Sequence, residues 1–568
     1  MGWPYEFVTL NDEQKHLRRQ SLDFYAAIAH YSLIVPLVAV ILTKLLRIGL
    51  RNLPGAQDDG GLYQRVPGSP IVKAHRGRVG SGLAVTWRKF AWWMGDDVVL
   101  FGQVWGQRDE WVLGSVWLLW LLTLSVVGTG KDFLHLTKRL GLVAVSQLPM
   151  QYILALKAIN PLALALDTSH EHLNRYHRVL GRLVYGLLVL HVVLYNVFFL
   201  ASGLWVARFF APVVFVGVVA SFLMHALTGT AMRSVRRWSY RVFFVTHLVA
   251  AMAVPPLIFF HAPSARLYLI ESVVVFIIDL AVRKTTAVTT PATLEAIPGT
   301  DLVRLTATLP AAKTARYRLR PASHVYLSVP PEGRPNANPT SPAHFVFDFL
   351  YNPFTVASTS AADTISLVFR RNAGPMTSHL SSSAGEDAPK LPLTIEGPYG
   401  AASLSFPSFL TGAGGPPHRV LLFAGGVGAT FILPIYNTLL ADYPASKVRF
   451  IWAIRAAADA TWAVSLNESS GTSLLDDENV QLFLTGDMGT TTSPANGSGI
   501  ELGDLRRGNT KRPDIRKIVD DTFRLGQGET VAVLVCGPTE MARDVRNAVR
   551  PWVMKGRNVW FHDEAFGW

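Results

Sequence analysis

Four histidines in two long apolar stretches are the residues of this chain best placed to bind a planar, metal-containing group. Residues 176–201 hold His177 and His191, and residues 239–262 hold His247 and His261. The two members of each pair are fourteen residues apart. On an α-helix this spacing separates the imidazoles by about 21 Å along the axis and leaves them on roughly the same face. Two such helices side by side can clamp two planar groups, one above the other.

Paired imidazoles in apolar helices indicate heme ligation. Ionisable side chains are costly inside a membrane, so each one requires a partner. Neutral imidazole is a good axial ligand for heme iron, and the pattern predicts two b-type hemes, one between His177 and His247 and one between His191 and His261. An iron with two axial histidines has no open position, which suits electron transfer rather than oxygen binding at the iron. His225, alone on its span, is interpreted as a packing or surface residue.

The composition is typical of a multidomain membrane protein. The chain has 568 residues, of which 50% are hydrophobic and 11% aromatic, so it is too long for one domain and too apolar for a purely soluble protein. Its one cysteine, Cys536, excludes an intramolecular disulfide and a cysteine-based zinc or iron–sulfur site. The formal net charge is +13, but the basic residues are scattered and form no nucleic-acid motif, so no nucleic-acid partner is expected.

Seven stretches are long and apolar enough to cross a bilayer, which takes about 20 residues. They are 24–46, 111–129, 140–158, 178–201, 209–229, 240–261 and 267–283. The third is the weakest, because Gln147, Pro149 and Gln151 interrupt it. Basic residues gather in the loop 47–110, in the loop 230–239 and after the last span, and such residues collect on the cytoplasmic side of a membrane.

This charge distribution orients the predicted spans. It places the N-terminus outside the cell and everything after residue 284 in the cytoplasm. The inner pair of histidines is then His177 and His247, and the outer pair is His191 and His261. Arg178 and Arg182 lie within about a turn of the first inner histidine. Two interpretations stay open for these arginines: positive charge at the cytoplasmic face, or pairing with heme propionates.

The composition changes after residue 284. Residues 285–410 contain short β-like runs broken by Pro, Gly, Ser and Asn, which predicts a small antiparallel barrel. In residues 411–568 strands alternate with amphipathic helices, which predicts a parallel, Rossmann-like α/β sheet. The predicted organisation is therefore an N-terminal span with a basic cytoplasmic loop (1–110), a heme-binding transmembrane bundle (111–284), the barrel and the α/β domain.

A glycine-rich turn follows the first strand of the α/β domain. Its glycines are Gly425, Gly426 and Gly428. Such a turn lets phosphates approach the backbone at a helix N-terminus. No acidic residue ends the next strand, where Arg449 and Arg455 stand instead, and an arginine there can bind a 2′-phosphate, so NADPH is favoured over NADH. Cys536, Gly537 and Pro538 end a later strand at the same sheet edge, where a nicotinamide would lie.

Several motifs taken together resemble the fungal ferric reductases of the ferric reductase and NADPH oxidase superfamily. They are Asn352-Pro353-Phe354-Thr355, Arg371-Asn-Ala-Gly374-Pro-Met-Thr377, Glu396-Gly-Pro-Tyr-Gly400, Gly425-Gly-Val-Gly428, Cys536-Gly537-Pro538 and the closing stretch from Phe561 to Trp568. The histidine pairs match the heme-binding spans of that family, and the resemblance runs from about residue 110 to the end. Asn352 stands where the family motif has histidine, which affects an imidazole contact to FAD but not the fold.

The resemblance implies an FAD-binding barrel and an NADPH-binding domain of the ferredoxin-reductase type. Its candidate FAD-binding residues are Asn352, Pro353, Phe354, Thr355, Arg371, Gly374 and Thr377. By this resemblance Phe354 and Thr355 flank the isoalloxazine, and the last three residues of the set hold the pyrophosphate. Trp568 shields the flavin until nicotinamide displaces it, and Cys536 and Trp568 are the candidate catalytic residues.

The motifs and the resemblance together predict a transmembrane metalloreductase. NADPH gives up two electrons as a hydride and a bis-histidine heme takes one, so FAD must stand between them. The predicted path runs from cytosolic NADPH through FAD and two hemes to Fe(III), an Fe(III) chelate or Cu(II) outside the plasma membrane, in support of iron uptake.

Two alternatives to this function stay open: a superoxide-generating NADPH oxidase, and a non-catalytic member of the family. The seven spans and the fourteen-residue spacing favour the metalloreductase, because by the resemblance such oxidases usually have six spans and one shorter spacing. The sequence indicates no oligomeric state.

Overall fold

The computed structural model describes residues 4–51, 79–335, 341, 344, 346–385, 388–400, 406, 410, 416–463, 474, 477–486, 512–526 and 528–564. The chain forms two compact units. The first unit combines Met1–Tyr63 with Trp93–Thr285, and the second combines Gln64–Trp92 with Thr286–Trp568.

The chain up to Thr286 is helical apart from one hairpin, within the described residues. Its helices are α1 (Asp12–Tyr31), α2 (Ile34–Arg51), α3 (Val79–Met94), α4 (Arg108–Val126), α5 (Phe133–Val145), α6 (Leu148–Ile153), α7 (Pro161–Leu166), α8 (His170–Ala201), α9 (Trp205–Phe209), α10 (Pro212–Thr230), α11 (Arg233–Trp238), α12 (Tyr240–His261) and α13 (Arg266–Thr286). The hairpin joins β1 (Asp97–Leu100) to β2 (Gln103–Gln107).

Side-chain caps set where the histidine-bearing helices begin. The hydroxyls of Ser169 and Ser239 each accept a hydrogen bond from a backbone N–H in the first turn, of α8 and α12 respectively. Apolar runs then sustain α8 for 32 residues and α12 for 22. The second helix continues through Pro255 and Pro256, so the spacing of its two histidines is kept on one helix.

Five helical stretches in the described part of the chain are long and apolar enough to span a membrane: Asp12–Leu46, which combines α1 with most of α2, Arg108–Val126, His170–Ala201, Pro212–Thr230 and Tyr240–His261. The third predicted span forms two short helices, α5 and α6, because Pro149 lies in the first turn of α6 and cannot continue a preceding helix. The seventh lies in α13, where buried Asp279 accepts hydrogen bonds from the backbone N–H groups of Ala158 and Ile159. The helical membrane bundle is confirmed, and the count of seven spans stays a prediction.

The second unit contains a closed antiparallel barrel. Its elements are β3 (Val288–Ala296), β4 (Leu302–Thr308), α14 (Ala311–Arg318), β5 (His324–Ser328), β6 (Asn352–Thr359), β7 (Thr364–Arg370), α15 (Pro375–Ser382) and β8 (Leu391–Tyr399). The strand order around the barrel is β3-β4-β7-β6-β5-β8. Alternate residues of β7, namely Ile365, Leu367 and Phe369, fill its interior. The predicted barrel is confirmed.

A parallel sheet with flanking helices follows the barrel. Its elements are β9 (Arg419–Gly425), α16 (Ala429–Asp442), β10 (Lys447–Ile454), β11 (Val480–Leu484), α17 (Ile515–Leu525), β12 (Val531–Cys536), α18 (Thr539–Met554) and β13 (Val559–Glu564). The five strands run parallel in the order β11-β10-β9-β12-β13. The predicted α/β domain is confirmed. β9 and β12 are central neighbours, so their carboxyl ends meet at one edge.

Successive residues of β9 pack into two different cores. Leu422 and Ala424 belong to the core that also contains Val368 of the barrel, together with side chains of α16. Leu421 and Phe423 face the other side and pack with side chains of α17 and α18. Because one face of the sheet shares its core with the barrel, the two domains of the second unit pack directly on each other.

Trp92, near the end of α3, belongs to the core on the second face of the sheet. Its indole lies 4.4 Å from the guanidinium carbon of Arg546 and 5.3 Å from the ring of Phe561, and its carbonyl accepts a 3.0 Å hydrogen bond from Arg546. Val85, two turns earlier, lies 3.5 Å from where a side chain on Gly556 would begin. Part of the predicted segment 1–110 therefore packs on the α/β domain.

Trp92→Ala is expected to lower the free energy of unfolding of the second unit by about 3–5 kcal/mol, because it removes a buried indole and leaves a cavity. The measurement is denaturant unfolding of the purified full chain, in which pulse proteolysis reports the fraction of the second unit that is unfolded. Trp87→Ala is the matched control, since Trp87 lies on the same helix and is 66% exposed. Equal effects of the two substitutions would contradict the packing described for α3.

Candidate functional site

Helices α8 and α12 bring the four predicted histidines together as two facing pairs. The ring centres of His177 and His247 are 6.1 Å apart, and those of His191 and His261 are 6.4 Å apart. The planes of the inner pair are inclined at 56° and those of the outer pair at 88°. The pairing expected from the fourteen-residue spacing is thus present in the structure.

These separations fit an iron ion held between two imidazoles. A metal-to-imidazole nitrogen distance of about 2 Å, with about 1.1 Å from that nitrogen to its ring centre, separates two axial ring centres by about 6.2 Å. The residues present therefore suit two bis-histidine hemes, one for each pair.

Backbone carbonyl groups orient three of the four imidazoles. His177 donates through Nδ1 to the carbonyl oxygen of Gln151 at 2.9 Å, and the outer histidines donate to the carbonyl oxygens of Thr137 and Val213, both at 2.7 Å. A hydrogen bond at Nδ1 leaves Nε2 as the ligand nitrogen, and such partners fix both tautomer and ring orientation. In the described part of the chain, the buried Nδ1 of His247 has no hydrogen-bond partner.

Gln151 also contacts the ligand side of the inner pair. Its amide nitrogen lies 3.3 Å from Nε2 of His177 and donates a 3.0 Å hydrogen bond to the carbonyl oxygen of the same residue. In the sequence this glutamine stands out only because it interrupts an apolar stretch. A polar residue within a predicted span is the one sequence feature that could have indicated this contact. The carbonyl acceptors cannot be predicted from residue type, because every residue has a carbonyl group.

Arg178 and Arg182 are both exposed on α8. Their pairing with heme propionates stays a prediction. His225 is exposed on α10 and bonds through Nδ1 to the carbonyl oxygen of Ser221 on its own helix, at 2.7 Å. This local bond agrees with its interpretation as a surface or packing residue.

The candidate flavin residues of β6 divide between the two faces of that strand. Phe354 points into the barrel core, where its ring centre is 4.9 Å from that of Phe369. Thr355 points to the opposite face because side chains alternate along a strand. Asn352 and Pro353, at the start of the strand, are half-buried. The flavin-flanking roles of Phe354 and Thr355 stay predictions, and strand geometry places only Thr355 outside the barrel core.

Two of the three candidate pyrophosphate residues lie in an exposed loop that leads into α15, whereas Thr377 is buried in the first turn of that helix. Arg371 and Gly374 are exposed, and the helix begins at Pro375 directly after them. The hydroxyl of Thr377 donates to the carbonyl oxygen of Asn372 at 2.9 Å, which closes the loop onto the first turn. The loop therefore presents a cationic side chain and backbone groups together, as an anionic phosphate requires.

Glycines let the carboxyl ends of β9 and β12 come into contact. A Cβ atom on Gly428 would lie 2.2 Å from the carbonyl oxygen of Cys536, and one on Gly425 would lie 2.6 Å from Cδ of Pro538. A Cβ atom on Gly537 would lie 3.0 Å from the backbone nitrogen of Gly425 at the end of β9. The predicted glycine turn and the predicted Cys-Gly-Pro segment thus form one continuous backbone surface.

Gly426 is the open member of this turn. Its φ of +55° lies in the left-handed region that favours glycine, and a Cβ atom there would contact nothing within 4 Å. The turn leads into α16, whose first residue is Ala429. The arrangement leaves free space beside a helix N-terminus, where backbone N–H groups bind phosphates.

The two candidate arginines of β10 occupy different environments. Arg449 lies within the strand, half-buried, and donates a 3.3 Å hydrogen bond to the side chain of Gln481. Arg455 directly follows the strand and is exposed at the carboxyl edge of the sheet. Of the two, Arg455 is the one available to a ligand at that edge.

Cys536 is the last residue of β12 and is only 1% exposed. Burial raises the pKa of its thiol well above the usual range, and the nearby Glu564 carboxylate raises it further. The side chain is therefore a neutral thiol at the sheet edge, and its catalytic role stays a prediction. Trp568, the other candidate catalytic residue, lies outside the described residues.

Two family models match this chain. "Ferric reductase like transmembrane component" matches residues 140–258, which include three of the four paired histidines, and His261 lies just beyond it. "Ferric reductase NAD binding domain" matches residues 418–550, which include the glycine turn and Cys536. The two matches fall on the two sites described above.

Named relatives include two fungal proteins that cover most of the chain. The ferric/cupric reductase transmembrane component 2 of Schizosaccharomyces pombe is 22% identical over 498 residues, which is 78% of this chain and 82% of that protein. A probable metalloreductase of Scheffersomyces stipitis is 25% identical over 524 residues, which is 85% of this chain and 89% of that protein. A ferredoxin NADP+ reductase structure from Neisseria gonorrhoeae with bound FAD and NADP is 14% identical, with a TM-score of 0.33, and covers 49% of this chain and 98% of that one.

Proposed function

This chain belongs to the fungal ferric reductase family of multi-pass membrane oxidoreductases, and from that premise we propose that it carries electrons from cytosolic NADPH across the membrane to Fe(III) or Fe(III) chelates. Cu(II) is included as an acceptor because the Schizosaccharomyces pombe relative is named a ferric/cupric reductase. The proposed location is the plasma membrane, with the outer pair of histidines facing the external acceptor.

One observation carries the proposal: two facing histidine pairs at separations that suit bis-histidine iron, on helices apolar enough to span a membrane. When bound, FAD would take two electrons from NADPH and release them singly, and each heme would accept one at a time. His177 and His247 would hold the inner heme, and His191 and His261 the outer heme. Fourteen residues along α8 separate the two levels by about 21 Å, most of a hydrocarbon core of about 30 Å.

The second unit would supply the binding surfaces for both nucleotides. Thr355, on the face of β6 that points away from the barrel core, would lie against the flavin. Arg371, Gly374 and the first turn of α15 would hold the FAD pyrophosphate. The open space at Gly426 would take the NADPH pyrophosphate. The buried neutral thiol of Cys536 would add a side chain without charge beside the nicotinamide.

The test of this proposal is NADPH-dependent reduction of an Fe(III) chelate by the purified full chain, with and without superoxide dismutase. Persistence of the signal with the dismutase is the expected result. Loss of the signal would instead assign an NADPH oxidase. Absence of any reducible bis-histidine heme spectrum would exclude both enzymes and leave the non-catalytic alternative.

Arg455→Glu is expected to raise the KM for NADPH at least about tenfold while leaving the KM for NADH unchanged, because it replaces a charge-assisted hydrogen bond to the 2′-phosphate with repulsion. Initial rates of flavin reduction at varied nucleotide concentration measure this. Arg449→Gln is the control, since Arg449 contacts Gln481 within the sheet. Equal losses for NADPH and NADH would show that Arg455 does not select the nucleotide.

A further inference from the structure

Two glycines lie directly against the imidazoles of the outer pair. A Cβ atom on Gly141 of α5 would lie 2.6 Å from Nδ1 of His191, and one on Gly217 of α10 would lie 2.5 Å from Cε1 of His261. Both distances are shorter than the 3.0 Å below which a Cβ atom essentially never approaches another heavy atom. Each imidazole therefore occupies the space that a side chain at the glycine would fill.

The same helix turn that carries each glycine also supplies the hydrogen-bond acceptor. His191 donates to the carbonyl oxygen of Thr137, four residues before Gly141, and His261 donates to that of Val213, four residues before Gly217. The donor–acceptor distance is 2.7 Å in both cases. The arrangement is thus repeated on two different helices, once for each outer ligand.

Helix geometry explains why the fourth residue must be glycine. Residues four apart lie one above the other on a helix surface, so the side chain of the later residue covers the carbonyl group of the earlier one. An imidazole reaches that carbonyl from the side only if no Cβ atom stands in its way. We define a glycine seat as this combination of a helix carbonyl and the glycine four residues later.

The inner pair has no such seat among the described residues. His177 bonds to the carbonyl of Gln151 at the end of the short helix α6, and the Nδ1 of His247 is without a hydrogen-bond partner there. A Cβ atom on Gly181 would lie 2.9 Å from the side-chain nitrogen of Gln151 rather than against a histidine ring. The inner ligands are therefore held by other means, and a change to a seat acts on one pair only.

We propose that Gly141 and Gly217 are positioning residues for the outer heme. Each admits one axial imidazole to a helix carbonyl and thereby sets the rotation of that ring. Together they hold the two ring planes nearly perpendicular, at 88°. Ligands that are held in the binding orientation bind metal more tightly than ligands that rotate freely. The two glycine seats therefore also favour retention of the outer heme. The inference rests on the proposed heme function.

The test is Gly217→Ala and Gly141→Ala in the purified full chain, read by heme content and by the low-spin Fe(III) electron paramagnetic resonance spectrum, which depends on the angle between axial imidazole planes. Each variant is expected to lose or shift the outer-heme signal, with heme content falling from two toward one per chain. The inner-heme signal and NADPH-dependent flavin reduction are expected to persist, which shows that the variant has folded.

Two glycines without a neighbour serve as matched controls. A Cβ atom on Gly186 of α8 or on Gly229 of α10 would contact nothing within 4 Å, so alanine at either position is expected to leave both heme signals unchanged. Unchanged signals in both seat variants, or simultaneous loss of both hemes, would overturn the inference. A wild-type chain with no bis-histidine heme signal would instead overturn the proposed function itself.

Discussion

His191→Leu is expected to reduce NADPH-driven reduction of external Fe(III) at least about 100-fold, because even loss of a ligand's supporting partner costs 10- to 100-fold and this change removes the ligand. The proposed hydride transfer from NADPH to the flavin would take place in the second unit and is expected to continue at the wild-type rate. Anaerobic stopped-flow absorbance of the flavin, together with Fe(III)-chelate reduction by intact cells, separates the two steps.

His225→Leu is the matched control for this prediction. The imidazole of His225 is exposed on α10. Its Nδ1 lies within hydrogen-bond distance of the carbonyl oxygen and the hydroxyl of Ser221, which is on the same helix. Its replacement is expected to leave electron delivery unchanged. If the His191 variant still reduces external Fe(III) at the wild-type rate, the outer pair is not part of the electron path and the proposed path is wrong.

Gly428→Ala is expected to abolish nucleotide-dependent flavin reduction. The added Cβ atom would lie 2.2 Å from the carbonyl oxygen of Cys536 and 2.7 Å from its carbonyl carbon. Relieving this overlap requires a shift of the backbone at the end of β9 or of β12. Overpacking of this kind costs about 3 kcal/mol of stability. A displacement of about 1 Å at the sheet edge lowers the rate of an oriented reaction about 100-fold.

The measurement is the initial rate of NADPH-dependent flavin reduction, with denaturant unfolding of the same full-length sample. Gly82→Ala provides the comparison, because Gly82 lies in α3 of the same unit and a Cβ atom there would contact nothing within 4 Å. That change is expected to preserve both quantities. A Gly428 variant with the wild-type rate would show that the two strands do not meet as closely as the structure has them.

Much of the architecture follows from patterns that are local in sequence. The apolar runs around His191 and His261, the alternation in β7 and the strand–glycine–helix order at Gly426 each involve neighbours a few residues apart. Those neighbours decide helix or strand through periodicity, capping and turn conformation. The bundle, the barrel and the α/β sheet were therefore predictable.

The third predicted span and the flavin strand show where such reasoning stops. Residues 140–158 are apolar enough to suggest one helix, yet the chain breaks there and Gln147 bonds to the carbonyl oxygen of Ala29, 118 residues away. The motif of β6 suggests two flavin neighbours, whereas strand alternation separates Phe354 from Thr355. Residue type does not reveal which face of a strand becomes the core.

The sequence by itself predicted which histidines face each other, because each of two apolar helices carries two histidines at the same fourteen-residue spacing. Only the tertiary structure decided how those imidazoles are held. The carbonyl acceptors of His191 and His261 lie 54 and 48 residues away, and every residue has a carbonyl group. The role of a glycine beside such a carbonyl is evident only once tertiary packing places an imidazole ring against it.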